Sequence, residues 1–165
     1  MSSGSILASR KQRFQAGLSI IEIAEQDRVT FHTVYDDLWR HGEIPNTYLI
    51  DEFIKAVQRL DLPAPEREYA FVHAAPAHLQ QLFLAPKTRK PRGWKTDCAW
   101  PWHKVAVEVD GGKWVPRGGR HTNDREKRNA YAVIGWRVLY FDTDMLEDPD
   151  ACAQIVRLAL TAHEQ

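Results

Sequence analysis

Asp97, Glu108 and Asp110 are the residues of this chain whose types and spacing are best suited to chemistry. Asp97 sits inside a β-prone stretch, residues 94–100, and Glu108 and Asp110 close a second, residues 105–110, with Pro101, Trp102 and His103 as the turn between. Strand side chains alternate, so Glu108 and Asp110 share one face while Val107 and Val109 take the other. A hairpin at the turn brings Asp97 towards the acidic face. Gathering these carboxylates is costly, through like-charge repulsion and lost hydration, unless a divalent cation neutralises them. All-oxygen ligands suit magnesium, with manganese able to substitute. Phosphodiester hydrolysis needs such an arrangement, because a bound metal activates water and neutralises charge gathering on the phosphoryl oxygens. The alternative is an Asp97 that faces solvent and a Glu108 and Asp110 that merely end an edge strand.

Cationic groups follow close behind. A helix is expected over residues 122–134, closed by Gly135, and its Asp124, Lys127, Arg128 and Tyr131 recur at spacings of three and four, so one face can look at the acids. An ordinary surface pair of Asp124 with Arg128 is the competing reading. His121, just ahead of the helix, can serve as a base, contact a phosphate or bond loop backbone. Arg117 and Arg120, among glycines, form a cationic rim suited to the phosphates of an entering strand, and Gly111 and Gly112 allow close approach of a backbone. Trp102 and Trp114 fall in loops, where they either stack on a base or cover apolar surface.

The chain carries 22 basic and 22 acidic residues, so its net charge makes no case for a polyanionic partner. The distribution does. Lys87, Arg89, Lys90, Arg92 and Lys95 occur in a stretch, residues 69–96, that has no acid, whereas residues 142–150 hold Asp142, Asp144, Glu147, Asp148 and Asp150 with no base.

The fragments DCAW, VAVEVDGG, GGRH and DREKRNAYAVIGWRVLYF, in that order, resemble the PD-(D/E)XK nuclease superfamily, in particular its very-short-patch-repair-like and phage-type small endonucleases. The resemblance runs over about residues 67–160 and implies a restriction-endonuclease-like core, a mixed α/β sheet flanked by helices. It makes Asp97 the first metal-binding aspartate, Glu108 the second acid, and Glu68, in preference to Glu66, the upstream glutamate. The superfamily's lysine normally stands two residues after the second acid, where this chain has Asp110. The resemblance implies that the basic group has moved to the following helix as Lys127, there to orient water or stabilise the transition state. Cys98 stands where relatives usually have Phe. Implied with these are a magnesium cofactor, a DNA substrate cut to a 5′ phosphate and a 3′ hydroxyl, a homodimer where both strands are cut, and the cytoplasm of a bacterial or phage-infected cell. A catalytically inactive DNA-binding or assembly accessory protein built on the same core is the alternative, supported by the loss of the usual lysine at position 110. A structural protein that borrowed the fold is a further one.

Helices are expected before this core, over residues 6–16, 20–26, 31–40 and 49–60. Ser19 and Glu22 form a capping box for the second, Thr30 caps the third, and Asn46 opens the fourth, whose Leu49, Phe53, Val57 and Leu60 share a face. The middle pair resembles a helix-turn-helix in which Thr30, Phe31, His32, Thr33 and Tyr35 begin a recognition helix, with His32 and Thr33 as candidate DNA contacts. Seven basic and nine acidic residues through Asp61, with Asp36 and Asp37 on that helix, make poor electrostatics for gripping phosphates. The proline-containing stretch over residues 61–68 reads as a hinge, dividing residues 1–62, a helical module, from residues 66–165, the α/β core. A strand is expected over residues 67–72 and 137–141, a short helix or hairpin arm over 75–84, and a closing helix over 150–162. Two cysteines, Cys98 and Cys152, are too few for a disulfide framework and point to reduced thiols in a cytosolic protein. No apolar run reaches the roughly 20 residues that span a bilayer.

Overall fold

A computed structural model describes residues 3–110 and 120–162. Helix α1 (Ser3–Gln15), α2 (Ile20–Asp27), α3 (Phe31–Arg40) and α4 (Tyr48–Arg59) precede β1 (Glu66–Tyr69), the one-turn α5 (Ala77–Gln80), β2 (Thr96–Trp100) and β3 (Val105–Asp110). Then follow α6 (Arg120–Ile134), β4 (Arg137–Asp142) and α7 (Pro149–Thr161). The expected mixed α/β architecture is present: the strand order is β1-β2-β3-β4, antiparallel for the first two pairings and parallel for β3 with β4. Among the described residues no helix is long and apolar enough to cross a membrane.

Local chemistry sets most boundaries. The Ser19 hydroxyl accepts the Glu22 amide while the Glu22 carboxylate accepts the Ser19 amide, so the expected capping box starts α2. Thr30 accepts the Thr33 amide and starts α3. Arg28, left-handed at φ 56°, makes the tight turn between them. Gly135 ends α6 at φ 83°, and the Trp136 amide reaches back to the Tyr131 carbonyl at 2.8 Å.

Two expectations need correction. Thr47 rather than Asn46 stands at the head of α4, because the Asn46 side chain accepts the Trp39 indole N–H at 2.8 Å instead of capping the helix. The first strand stops at Tyr69: Phe71 and Val72 are fully buried, but they lie in a turn that packs against α6 rather than on a ladder.

Each face of the sheet has its own core. Cys98, Trp100, Val105, Val107 and Phe141 pack with α2, α3, α4 and α7, and Ala99 and Ala106 pack with Ala130, Tyr131 and Ile134 of α6. Residues 60–65 connect the helical segment to β1, yet one buried cluster runs from Ile20 through Phe53 to the sheet and α7. Phe53 meets Phe141 at a ring separation of 5.8 Å. Helix α1 is held differently: buried Arg10 pairs with Asp27 of α2 at 2.7 Å and with Asp37 of α3, and Arg13 adds a second contact to Asp27 at 2.7 Å. Asp37 is thereby turned inward, while Asp36 pairs with Arg40 at 2.7 Å.

Candidate acidic site

Strand alternation places Asp97 beyond Ala99 and Glu108 beyond Ala106 on the face covered by α6, and the β2–β3 register, Cys98 against Val107, sets the two acids opposite each other. Asp97 is half-buried and its Oδ2 accepts the Val109 amide at 2.7 Å. Glu108, with its side chain 16% exposed, takes two donors on Oε1: the Lys127 ammonium at 2.7 Å and the Tyr131 hydroxyl. Lys127 also lies 5.8 Å from the Tyr131 ring centroid. Asn123, Glu126, Lys127, Ala130, Tyr131 and Ile134 make the inward stripe of α6. Asp124 and Arg128, expected on that stripe, are exposed.

Electrostatics mark the pair as undercompensated. Burial pushes the Asp97 carboxyl above its ordinary range; the Val109 amide and Lys127 oppose this, and the charges of Glu68 and Asp110 add to it. Burial likewise raises Glu108, against the pull of Lys127 and Tyr131. Burial lifts the Tyr131 hydroxyl too, and the Glu108 charge adds to that, so it remains a donor.

Asp97 and Glu108 are the residues that could hold a divalent cation. Among the described residues the protein's bonds fall on one oxygen of each acid, Asp97 Oδ2 and Glu108 Oε1, so Asp97 Oδ1 and Glu108 Oε2 are the atoms that could take an external partner. Magnesium is commonly held by one or two carboxylates, with water and substrate phosphate completing its shell. The larger set expected from sequence is not gathered: among the described residues no group of three or more His, Cys, Asp or Glu side chains is placed to hold a metal. Glu68 is exposed, left-handed at φ 51°, and reaches Lys95 at 3.6 Å, and Asp110 stands at the exposed end of β3.

The remaining candidates divide by position. Lys87, Arg89 and Lys90 are exposed on a loop pinned by the Leu84–Pro91 bridge. Arg92 is not free for phosphate: it pairs with Glu126 of α6 and lies 5.1 Å from the Trp94 ring, whose indole N–H donates to Asn123 at 2.9 Å. Arg128 sits over the Tyr140 ring at 4.8 Å. On α3, the Thr33 hydroxyl bonds that of Thr30, and His32 lies 3.6 Å from Asp36 and 3.9 Å from Asp144. Arg120 and His121 fall in the first turn of α6, their side chains outside the described residues, as are Gly111, Gly112, Trp114 and Arg117.

No protein-family model matches the chain, and no curated protein matches it. Among solved structures it is similar to the catalytic domain of the homing endonuclease I-Bth0305I, at 18% identity and a TM-score of 0.46, over 74% of this chain and 99% of that one.

Sequence reasoning placed Tyr131 near the site without giving it a partner, and it passed over Glu126, Asn123 and Tyr140. Asn123 and Glu126 were legible in principle, since Asn123 lies four residues before Lys127 and Glu126 three after Asn123 and four before Ala130. Tyr140 had no such signal: only the parallel register of β4 sets it against Glu108.

Proposed function

We propose that this chain is a divalent-metal-dependent deoxyribonuclease acting at the Asp97–Glu108 pair. The observation that supports it is the joining of two half-buried acids on adjacent strands to a lysine from the crossover helix, with Lys127 Nζ 2.7 Å from Glu108. Asp97 and Glu108 would hold magnesium, or manganese in its place. When bound, the ion supplies a water of lowered pKa and neutralises charge at the phosphoryl group. Lys127 opposes the burial that raises the Glu108 carboxyl, and it offers its other protons to the attacking water or to a phosphoryl oxygen. Tyr131 fixes the Glu108 rotamer, and the Val109 amide fixes Asp97. Glu68 and Asp110, at the margin, add negative charge that favours a cation.

DNA is the proposed substrate because the loop that carries the exposed cations is tied to the helix that carries Lys127. Arg92 and Trp94 fasten the loop of Lys87, Arg89 and Lys90 to α6, the helix that carries Lys127. Contacts from such residues position a backbone without reading its bases. Helix α3 is a weaker candidate, since His32 faces Asp144 in a cleft that Glu147 also lines.

One observation favours the second reading, an inactive DNA-binding or assembly accessory protein. Lys127 and Tyr131 already satisfy one oxygen of Glu108, as they would in a purely structural ion pair. Cleavage of labelled linear, nicked, mismatched and four-way-junction DNA with magnesium or manganese separates the two. The nuclease reading requires metal-dependent cutting that Asp97→Ala abolishes and Lys127→Ala impairs; binding without cutting on every substrate gives the accessory reading.

A further inference from the structure

We infer that the cleft between α6 and the outer edge of β4 is a subsite for one unstacked nucleobase, next to the acid pair, an inference that rests on the nuclease reading. β4 is the last strand of the sheet, and on its α6 side a cleft of about 390 Å³ is lined by Arg128, Tyr131, Ala132, Trp136, Val138 and Tyr140. That volume accommodates a single small planar group and lies at the low end of ordinary ligand sites, which run from roughly 300 Å³ upwards. A peptide helix is too wide for it.

Its walls have the composition that holds a base. Tyr140, 37% exposed, supplies the accessible aromatic face, while Tyr131, buried and stacked on Phe71 at 3.9 Å, and buried Trp136 form the floor beneath it. The exposed Arg128 guanidinium, 4.8 Å from the Tyr140 ring centroid, adds a planar cation to the lining, where it can stack on a base and attract the adjoining phosphate.

Two residues of the cleft neighbour Glu108. Tyr140 is the register partner of Glu108 across β3 and β4, and Tyr131, which lines the cleft, donates its hydroxyl to Glu108. A strand whose phosphate lies at Glu108 therefore has a neighbouring base within reach of the cleft, but only where that base has left the helical stack. The substrate class that follows is DNA with an unstacked base, such as a bulge, a mismatch or a single-stranded segment. Perfect duplex would be a poorer substrate.

The test compares two labelled duplexes, one with a single bulged thymidine and one with an abasic linker at the same place. Binding is read by fluorescence anisotropy in an Asp97→Asn background, so that cutting does not interfere. The bulged duplex should bind about tenfold more tightly than the abasic one, within the range found for removal of one base–aromatic contact. Adding Tyr140→Leu, which keeps apolar bulk but no π face, should bring the ratio close to one, and Tyr140→Phe should preserve it, with thermal melts confirming that each variant folds. Equal binding of the two duplexes, or a preference that Tyr140→Leu leaves intact, overturns the subsite. Cleavage by the unmodified chain keeps the two ideas apart. Cutting without base preference overturns the subsite and leaves the nuclease, whereas base-dependent binding without cutting retains the subsite and overturns the nuclease.

Discussion

Asp97 accepts the amide of Val109 at 2.7 Å, so the first acid of the pair is bonded to the backbone of the strand that carries the second. Any shift of β2 against β3 breaks that bond. The spacing of the two carboxylates is therefore held by the sheet itself rather than by a loop, which is what a site needs when a small misplacement costs activity.

If that spacing serves a cation, magnesium should stabilise the chain. At about ten times its dissociation constant a ligand of the folded state adds about 1.4 kcal/mol, which for a chain of this length raises Tm by about 3–5 °C. Thermal melts with and without magnesium should show the rise in the unmodified chain and lose it in Asp97→Asn and in Glu108→Gln. A rise that survives both substitutions would place the ion elsewhere.

Lys127 and Glu108 should show strong coupling. Their side chains are 19% and 16% exposed, so Lys127→Met leaves a carboxylate that water only partly reaches, at a cost of about 1–3 kcal/mol. Glu108→Gln in the same molecule should restore part of that loss, giving an interaction energy of about 1 kcal/mol or more in a denaturant double-mutant cycle. Strict additivity of the two losses would show that the contact contributes nothing.

The helical segment should be acid-sensitive through Asp27. Burial pushes this carboxyl up, but the hydrogen bonds and charges of Arg10 and Arg13 together outweigh burial and hold it below its ordinary 3.8. The folded value lies below the unfolded one, so the stabilisation is complete above the unfolded value and is lost as pH falls through the folded value. Melts of the unmodified chain should fall in Tm more steeply than those of Asp27→Asn as pH drops below the ordinary 3.8. Arg10→Met at neutral pH should cost about 3 kcal/mol, because it leaves Asp27 and Asp37 facing each other without their buried partner.

Phe53 should matter to both halves of the chain. It is fully buried and packs on Phe141, so Phe53→Ala should cost about 3–5 kcal/mol. Because the cluster is shared, far-ultraviolet signal from the helices and the fluorescence of Trp100 in β2 should be lost in one coincident urea transition. Two separated transitions would show that residues 1–62 unfold independently of the sheet.

The parts that were legible in sequence are those set by near neighbours. Thr30 and Ser19 announce α3 and α2 because a side-chain oxygen and the amide it accepts lie within one turn. Glu108 and Lys127 were legible as candidates because strand alternation and helical spacing each commit a side chain to a face. The start of α4 was not, since Asn46 is drawn away by Trp39 of another helix. Neither was the state of Arg92, whose partner Glu126 is 34 residues on, nor the burial of Arg10, whose partners lie 17 and 27 residues on.

By itself the sequence determined the element types, the run from two acidic strands into a basic helix, and the separation of cationic from acidic stretches, all of which follow from backbone periodicity and local capping. The tertiary structure decided what those residues face. It opposed Asp97 to Glu108, assigned Lys127 and Tyr131 to one oxygen of Glu108, left Glu68 and Asp110 at the margin, and set Tyr140 beside the acid. It also joined α4 to the sheet in one core. These outcomes depend on strand register and on burial between segments far apart in the chain, and a side chain's partner across such a distance is fixed only when the segments pack.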